Sequence, residues 1–341
     1  MSTKLKTHQT RLIDRCKHVV TLVALTLISM PVAARQDTNS NMAWVMQDSY
    51  GAKGWLLRRL GTSGYVVASQ NQAVVFEPAS AIKFLIHLHA ELQIQNGQNA
   101  ATLLPVSPSA LIPWSGETQP GICPDPNAWL LAQEQLETMM SMMMWQSHNP
   151  RTAALVHYFR EDFINETASQ LGGTNTLIQH RHGCGAEALL KPNRWTLNDA
   201  TLLYQQAFTG SLLTAANRQH LWDRMPNNLQ QLKDTAHYEA WTHYGQAPPQ
   251  TFYDHLKVAF KGGSYTLCGY PCKEYRALAG YVQIPTKGVG VPLSGVAPRK
   301  YVFGVFIHGD PRGKWYTDRA FDQGLRELFR TEIRAALDTF F

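Results

Sequence analysis

The sequence predicts an α+β protein, in which an antiparallel sheet is built from both chain ends and an all-helical subdomain is inserted between its two parts. Strand-like segments occur near residues 55–68 and return after residue 255, whereas the patterns between them are almost wholly helical. Strands from the two ends of one domain can share a sheet, and the helices must bury their apolar faces against it. We expect sheet parts at about 45–79 and 255–341, and a helical part at about 80–254.

The first elements follow from hydrophobic periodicity. Two short strands are expected at Trp55–Leu60 and Tyr65–Ala68, on either side of a turn that contains two glycines. A helix is expected over residues 80–95, because apolar side chains recur there at helical spacing. Those side chains are Phe84, Leu85, Leu88 and Leu92.

The rest of the chain is assigned in the same way. Further helices are expected at Trp129–Trp145, Arg151–Leu171, Leu197–Thr209 and Ala215–Met225. A polar stretch from Pro226 to Pro249 is expected to be irregular. Strands follow at Lys257–Phe260, Tyr275–Ile284 and Lys300–His308, and an amphipathic helix at about Asp318–Leu337 closes the chain.

Residues 1–34 are typical of a secretory signal peptide. A basic leader precedes the apolar stretch Val19–Met30, which is too short to span a bilayer, and Val32-Ala33-Ala34 offers a small-residue cleavage site before Arg35. An uncleaved N-terminal anchor is the alternative. We expect cleavage after Ala34, a periplasmic or secreted protein without a stable membrane anchor, and one catalytic domain over 35–341.

The net charge excludes a nucleic-acid-binding surface. The whole chain has a formal charge of +6, but the leader holds five Lys/Arg and one Asp, which leaves +2 for the mature part. No pattern indicates a cofactor or a metal. His180 and His182 flank Arg181 without a carboxylate close in sequence, so no metal site is expected there. We expect a monomer that acts on a small-molecule or peptidoglycan-derived substrate.

Four cysteines remain after Cys16 leaves with the leader. An even number in an exported protein favours disulfides. Cys268 and Cys272 can close a tight loop, which leaves Cys123 to pair with Cys184. A zinc site is the alternative, but these cysteines lack the short Cys-x-x-Cys clustering that zinc sites usually show.

The tetrapeptide Ser80-Ala81-Ile82-Lys83 places a nucleophile and a base at helical spacing. Residues three positions apart in a helix lie one turn apart on the same face, so Lys83 Nζ can reach Ser80 Oγ. A serine hydroxyl needs a neighbouring base to take its proton, and a lysine removed from water can serve as that base. Alone, such a pair is more often a helix cap followed by a solvated lysine.

Two later fragments complete a pattern. Ser147-His148-Asn149 lies between two predicted helices, where Ser147 can also cap the second, and Lys261-Gly262-Gly263-Ser264 lies on a strand or at its end. With Ser80-x-x-Lys83 they stand in the order of the three signatures of penicillin-recognising serine enzymes. Over roughly residues 45–340 the chain resembles the class A β-lactamase-like family of serine hydrolases, which is related to the DD-peptidases.

The resemblance implies a β-lactamase/transpeptidase-like fold and catalysis through an acyl-enzyme. Ser80 would attack a carbonyl carbon, and Lys83 would accept its proton. Ser147 would pass a proton to the leaving nitrogen. The backbone N–H groups of Ser80 and Ser264 would stabilise the oxyanion.

The resemblance also implies how a substrate is bound. Asn149 would offer its amide to the substrate, and Lys261 would attract a substrate carboxylate. Gly262 and Gly263 have no Cβ, so a substrate can lie along this strand as an added β-strand.

Three departures from the family pattern limit these expectations. His148 replaces the usual Asp, which questions how the loop is built. Gly262 replaces a Ser or Thr whose hydroxyl helps to bind a carboxylate. The loop Gly173–Trp195 lacks the Glu-x-x-Leu-Asn pattern of the deacylating base, and its one carboxylate is Glu187. Glu187 is therefore either that base or an ordinary exposed carboxylate.

The sequence thus predicts an exported serine hydrolase that forms an acyl-enzyme at Ser80 and acts on β-lactams or related amides. Three alternatives stay open. They are a D-Ala-D-Ala carboxypeptidase or transpeptidase, another amidase or esterase, and a non-hydrolytic module that binds penicillin or peptidoglycan.

Overall fold

The computed structural model describes residues 38–62, 64–106, 132–183, 190–268, 271–288 and 296–341. Its main sheet has five antiparallel strands in the order β2-β1-β7-β6-β5. The strands are β1 Ala52–Arg59, β2 Val66–Gln70, β5 Lys257–Leu267, β6 Lys273–Lys287 and β7 Val296–Asp310. Strands from both parts of the chain therefore share one sheet, which confirms the predicted fold class.

Helices cover both faces of this sheet. Residues 38–45 are helical, and Ala79–Ile82 form a 3-10 turn. The later helices are α1 Lys83–Gln95, α2 Leu136–Trp145, α3 Asn149–Phe159, α4 Glu161–Gln170, α5 Leu197–Thr209, α6 Ala215–Asp223, α7 Gln230–Tyr244, α8 Gln250–His255 and α9 Lys314–Leu337. Within the described ranges, none of the helices combines the length and the apolar character needed to cross a membrane.

The inserted part differs from the sequence prediction at three places. Two short strands, β3 Leu103–Val106 and β4 Ala132–Gln135, pair antiparallel. β4 lies where the first part of the helix Trp129–Trp145 was predicted. The helix predicted over Arg151–Leu171 is broken at Arg160, whose φ of 67° ends α3 and begins α4. The stretch predicted to be irregular contains α7.

The alternation of side chains across the sheet creates two hydrophobic cores. Leu56 faces the core shared with the helical insertion, where Phe76 stacks on Phe306 at 4.3 Å between ring centroids. Its neighbour Leu57 faces the opposite core, which α7 and α9 cover. Successive residues of a strand point to opposite faces, so one strand serves both cores.

Part of the predicted disulfide framework can be compared with the structure. Cys268 and Cys272 form a disulfide at the β5–β6 connection. Cys123 and Cys184 lie outside the described residues, as do the signal segment 1–34 and Glu187. The predictions that concern them stay predictions.

Removing a large side chain from the outer core should destabilise the whole domain. Phe329 on α9 is fully buried, and its ring meets Phe303 of β7 edge-on at 4.9 Å. We expect Phe329→Ala to lower the free energy of unfolding by about 3–5 kcal/mol, because it leaves a cavity. Trp44→Ala, at a side chain that is 68% exposed, should change it little. Urea unfolding of both variants checks this, and equal effects would contradict the assignment of the core.

Candidate active site

Ser80 lies in a short turn that directly precedes α1. The turn begins after Pro78, and Ala79 adopts a positive φ of 49°. The buried Glu77 carboxylate supports this backbone, because its Oε1 accepts a hydrogen bond from Ala79 N at 3.1 Å. Ser80 is half-buried. The turn therefore leaves this residue partly accessible to solvent.

Lys83 is fully buried one turn after Ser80, and its backbone N–H donates to Ser80 O. Its Nζ donates to Ser147 O at 2.6 Å, to Asn149 Oδ1 at 2.7 Å and, more weakly, to Ser147 Oγ at 3.3 Å. An ammonium group can donate to all three partners, and a neutral amine can donate to the two carbonyl-type oxygens and accept from the Ser147 hydroxyl. The predicted base is thereby fixed next to two of the other predicted residues.

The environment of Lys83 favours its neutral form. Burial lowers the pKa of Lys83 well below its ordinary value, and the positive charge of Lys261 lowers it further. A buried charge loses its hydration, and a second nearby cation repels it. Because a neutral amine is what a base requires, this shift suits the predicted role.

The loop that contacts Lys83 is held by a cap and an ion pair. Ser147 adopts a positive φ of 55°, and the side chain that caps α3 belongs to His148, whose Nδ1 accepts from Arg151 N at 3.4 Å. The alternative that Ser147 caps this helix is therefore wrong. Arg151 also makes two hydrogen bonds to Glu134, at 2.6 and 2.8 Å, which tie the loop to β4.

The side chain of His148 thus has a structural role as the cap of α3. Burial lowers its pKa to about 4, with smaller contributions from Arg151 and Lys83, so the ring is neutral at pH 7. A neutral imidazole can accept the hydrogen bond of a helix N-terminus, as an Asp side chain does elsewhere. The departure at this position therefore leaves the loop supported.

β5 is an edge strand that approaches Ser80 through Gly263. A Cβ on Gly263 would lie 2.4 Å from Ser80 N and 2.6 Å from Ala81 N, so only glycine allows this contact. Lys261 is buried on the same strand, and its Nζ donates to Gly262 O at 3.0 Å. Burial lowers the pKa of Lys261 to about 8. The edge strand β5 thus brings a glycine against the Ser80 turn, with a buried lysine two residues earlier.

The described parts of the loop from Gly173 to Trp195, residues 173–183 and 190–195, include a contact with the loop at Ser147. Its ends are joined by backbone hydrogen bonds between Leu177 and Arg194, at 2.9 and 2.8 Å. Gly183 packs on Asn149, since a Cβ there would lie 2.9 Å from Asn149 Nδ2. Within this loop, residues 184–189 are not described.

Two histidines of this loop were not predicted as site residues. His180 Nε2 lies 3.6 Å from Glu77 Oε2, so a carboxylate distant in sequence is its neighbour. His182 is buried, and burial lowers its pKa well below the ordinary value, with smaller contributions from the charges of Lys83, His180 and Lys261. The only signal in the sequence was two histidines in a loop where a carboxylate was expected.

The contact at Gly263 can be tested by adding one methyl group. Gly263→Ala should destabilise the fold by about 1–3 kcal/mol or more, because the new Cβ meets backbone atoms that cannot move alone. Gly262→Ala is the matched control, since its Cβ would have no neighbour closer than 3.7 Å. Thermal or urea unfolding of the two variants gives the comparison. Equal stability would show that β5 does not press on the Ser80 turn.

The solved structures that resemble this chain share its fold at low sequence identity. A β-lactamase from Chitinophaga pinensis matches with a TM-score of 0.65 and 16% identity, covering 87% of this chain and 99% of that chain. A class A β-lactamase from Bacteroides cellulosilyticus gives a TM-score of 0.63 and 17% identity, covering 89% and 99%. A PBP-A mutant in an acyl-enzyme complex with penicillin G gives 0.60 and 17%, covering 88% and 96%.

A search of curated proteins finds no match for this sequence. The family model described as the beta-lactamase enzyme family matches residues 38–287, which is well over half of the chain. That range includes the Ser80 turn, the loop at Ser147 and the strand at Lys261, whose side chains or backbone meet around one cleft. The chain belongs to the beta-lactamase enzyme family.

Proposed function

We propose that this protein is an exported serine hydrolase that forms an acyl-enzyme at Ser80 with β-lactams or related amides. The observation that carries the proposal is the buried Lys83 amine, one turn from Ser80 and hydrogen-bonded to both Ser147 and Asn149. A structural lysine would be paired with a carboxylate, whereas the described contacts of Lys83 Nζ are all to neutral groups. Such an environment favours a neutral amine that can take a proton.

Acylation would proceed by balanced proton transfers. Neutral Lys83 takes the proton of the Ser80 hydroxyl as Oγ attacks the carbonyl carbon. The backbone N–H groups of Ser80 and Ser264 donate to the oxyanion that forms. The proton then passes through Ser147 Oγ to the leaving nitrogen as the C–N bond breaks. Ser80 is left as an ester, and Lys83 returns to its neutral form.

Substrate binding would use the open edge of β5. An extended substrate can pair with the backbone near Gly263, where no side chain intervenes. Lys261 would attract the carboxylate that penicillins and D-alanyl peptides carry, and the Asn149 amide would contact the substrate's own amide. Gly262 offers no hydroxyl to the carboxylate, so Lys261 has a larger share of this interaction than in the family pattern.

A second candidate is a D-Ala-D-Ala carboxypeptidase or transpeptidase, or a penicillin-binding module that releases its acyl group slowly. The observation that favours it is the loop Gly173–Trp195, which lacks the Glu-x-x-Leu-Asn pattern. The likeness to the PBP-A complex with penicillin G supports acylation by a penicillin under both candidates. The rate of release of the acyl group separates the two.

A fluorescent penicillin tests acylation directly. We expect a covalent adduct on Ser80 by mass spectrometry, none with Ser80→Ala, and at least about a 100-fold slower adduct formation with Lys83→Ala, because the base is lost. Lys233→Ala, at an exposed lysine of α7, is the control and should behave as the unmodified protein. Absence of any adduct, together with no Ser80-dependent ester hydrolysis, would refute the proposal. A lasting adduct would favour the second candidate, and rapid release of hydrolysed product the first.

The charge of Lys261 gives a pH prediction. Its pKa is lowered to about 8 by burial, so the cation is present below that pH and is lost as the pH rises through it. We expect kcat/KM for a carboxylate-bearing penicillin to fall above about pH 8 relative to that for a neutral ester. The ratio of the two kcat/KM values removes the effect of Lys83 titration, because the reaction of both substrates depends on Lys83. A ratio that stays flat well above pH 8 would contradict a carboxylate-binding role for Lys261.

A further inference from the structure

A cavity of about 560 Å³ lies where α1, the end of α3 and α4 meet. This volume is within the range of roughly 300–1,000 Å³ that is typical of small-molecule sites. The described residues that line the cavity include none of those assigned to acylation. The cavity is therefore a separate place at which a small molecule can bind.

Two partly exposed aromatic rings line this cavity. Tyr158 is 38% exposed and Phe163 is 47% exposed. Single exposed apolar side chains are common on protein surfaces, but two in one concave site indicate a binding surface. The C–H groups on one face of a sugar ring can pack on such rings by dispersion.

The break in the helix at Arg160 brings both rings into the same cavity. In a continuous helix, residues 158 and 163 would point about 140° apart, because each residue turns the chain by about 100°. Arg160 instead has a φ of 67°, an unfavourable conformation for a residue with a side chain. Such strain is concentrated at functional sites, including ligand clamps. The strained residue therefore lies where a ligand would be held.

Both rings are held in place by neighbouring polar side chains. Tyr158 Oη donates to Gln98 Oε1 at 3.1 Å. The guanidinium of Arg160 lies 4.9 Å from the centroid of the Phe163 ring, and two hydrogen bonds to Asp162, at 3.2 and 2.7 Å, orient it. A ligand that packs on rings already in position meets a smaller entropic cost.

The hydrogen-bonding groups of the cavity suit hydroxyls better than charges. Gln93, Gln98 and Gln170 line it, and an amide can both donate and accept, as a sugar hydroxyl does. Among the described lining residues, Arg160 and Glu166 carry charges of opposite sign. A charged ligand would lose hydration here without meeting a net opposite charge.

His89, at the buried side of the cavity, adds no charge. It is 3% exposed, and its Nδ1 lies 2.8 Å from Thr167 Oγ1, which donates to Phe163 O at 3.1 Å. A hydroxyl has one proton, so both hydrogen bonds form together only if Nδ1 carries the ring proton. Burial lowers the pKa of His89 to about 4, so the ring is neutral at pH 7. Its Nε2 is then an acceptor.

We propose that this cavity binds a neutral oligosaccharide, with a sugar ring packed on Phe163 or Tyr158 and hydroxyl groups bound by the glutamine amides. The site goes beyond the proposed acylation and does not depend on it. Two kinds of glycan share this chemistry: polymers of N-acetylated amino sugars and plain glucans.

Calorimetric titration of the full mature chain tests the proposal. The probes are two neutral trisaccharides, triacetylchitotriose and cellotriose, and the charged trimer of galacturonic acid. We expect saturable binding of at least one neutral probe, and binding at least about 10-fold weaker in Phe163→Ala, because a stacking surface is lost. Phe163 is exposed, so this variant should fold normally, which thermal unfolding checks. The neutral probe that binds more tightly identifies the kind of glycan.

Two control variants locate the site. Trp241→Ala removes a ring that is 60% exposed on α7, outside the cavity, and should leave the affinity unchanged. Ser80→Ala should also bind the saccharide as the unmodified protein does, whether or not penicillin acylates Ser80. Loss of binding in Ser80→Ala would place the saccharide in the acylation cleft and overturn the proposal.

Three further results would overturn it. Neither neutral trisaccharide binds, or both bind equally well to Phe163→Ala and to the unmodified protein. In the third, the charged trimer binds more tightly than the neutral ones, and added salt weakens its binding, which would show that charge rather than ring stacking selects the ligand.

Discussion

The buried amine of Lys83 is the group on which the arrangement of the cleft depends. Removing an ammonium group from water is costly unless hydrogen bonds replace its hydration or it gives up its proton. Here Ser147 O and Asn149 Oδ1 supply the short hydrogen bonds, at 2.6 and 2.7 Å. The loop at 147–149 must therefore keep an unusual backbone, and the His148 cap and the Arg151–Glu134 pair are what keep it there. The ion pair between Arg151 and Glu134 of β4 thus helps to keep the Lys83 amine in its position.

The sheet contributes rigidity at the opposite side of the cleft. β6 and β7 pair along 15-residue strands, and β5 is registered on β6 over its full length. The position of Gly263 is consequently set by many backbone hydrogen bonds rather than by local turns. Because a Cβ at this position would collide with the backbone of Ser80, the close approach of the two segments links the position of Ser80 to the sheet. Sites on such elements hold their geometry better than sites built from loops alone.

Strongly patterned elements were predictable from the sequence. α5 was predicted with its observed bounds, and the structure shows that the Thr196 side chain caps its first turn and that Gly210 follows its last residue. α7 was missed because its buried apolar residues, Leu232, Ala236 and Ala240, are few and mostly small, and they pack against α9 only in the folded protein. The helix break at Arg160 is not marked by a Gly or Pro in the sequence, so it could not be predicted.

The same distinction applies to the site. Candidate site residues could be proposed from the sequence because short motifs carry them: Ser80, Lys83, Ser147, Asn149 and Lys261. Their convergence required the tertiary structure, and so did the neighbours of His180 and His182. Glu77 and His180 are about a hundred residues apart in the chain, so no local pattern could have paired them. Side chains on an irregular loop follow no periodic pattern, so their neighbours in space cannot be predicted from the sequence.

The weak contact from Lys83 Nζ to Ser147 Oγ has a consequence for the direction in which a proton can move. An ammonium group donates to that hydroxyl, and the 3.3 Å contact is the longest of its three. A neutral amine has one donor fewer and gains a lone pair, so it can accept from the same hydroxyl instead. The Ser147 rotor would then point toward the lysine in one protonation state and away from it in the other. The orientation of this hydroxyl would in this way depend on the protonation state of Lys83.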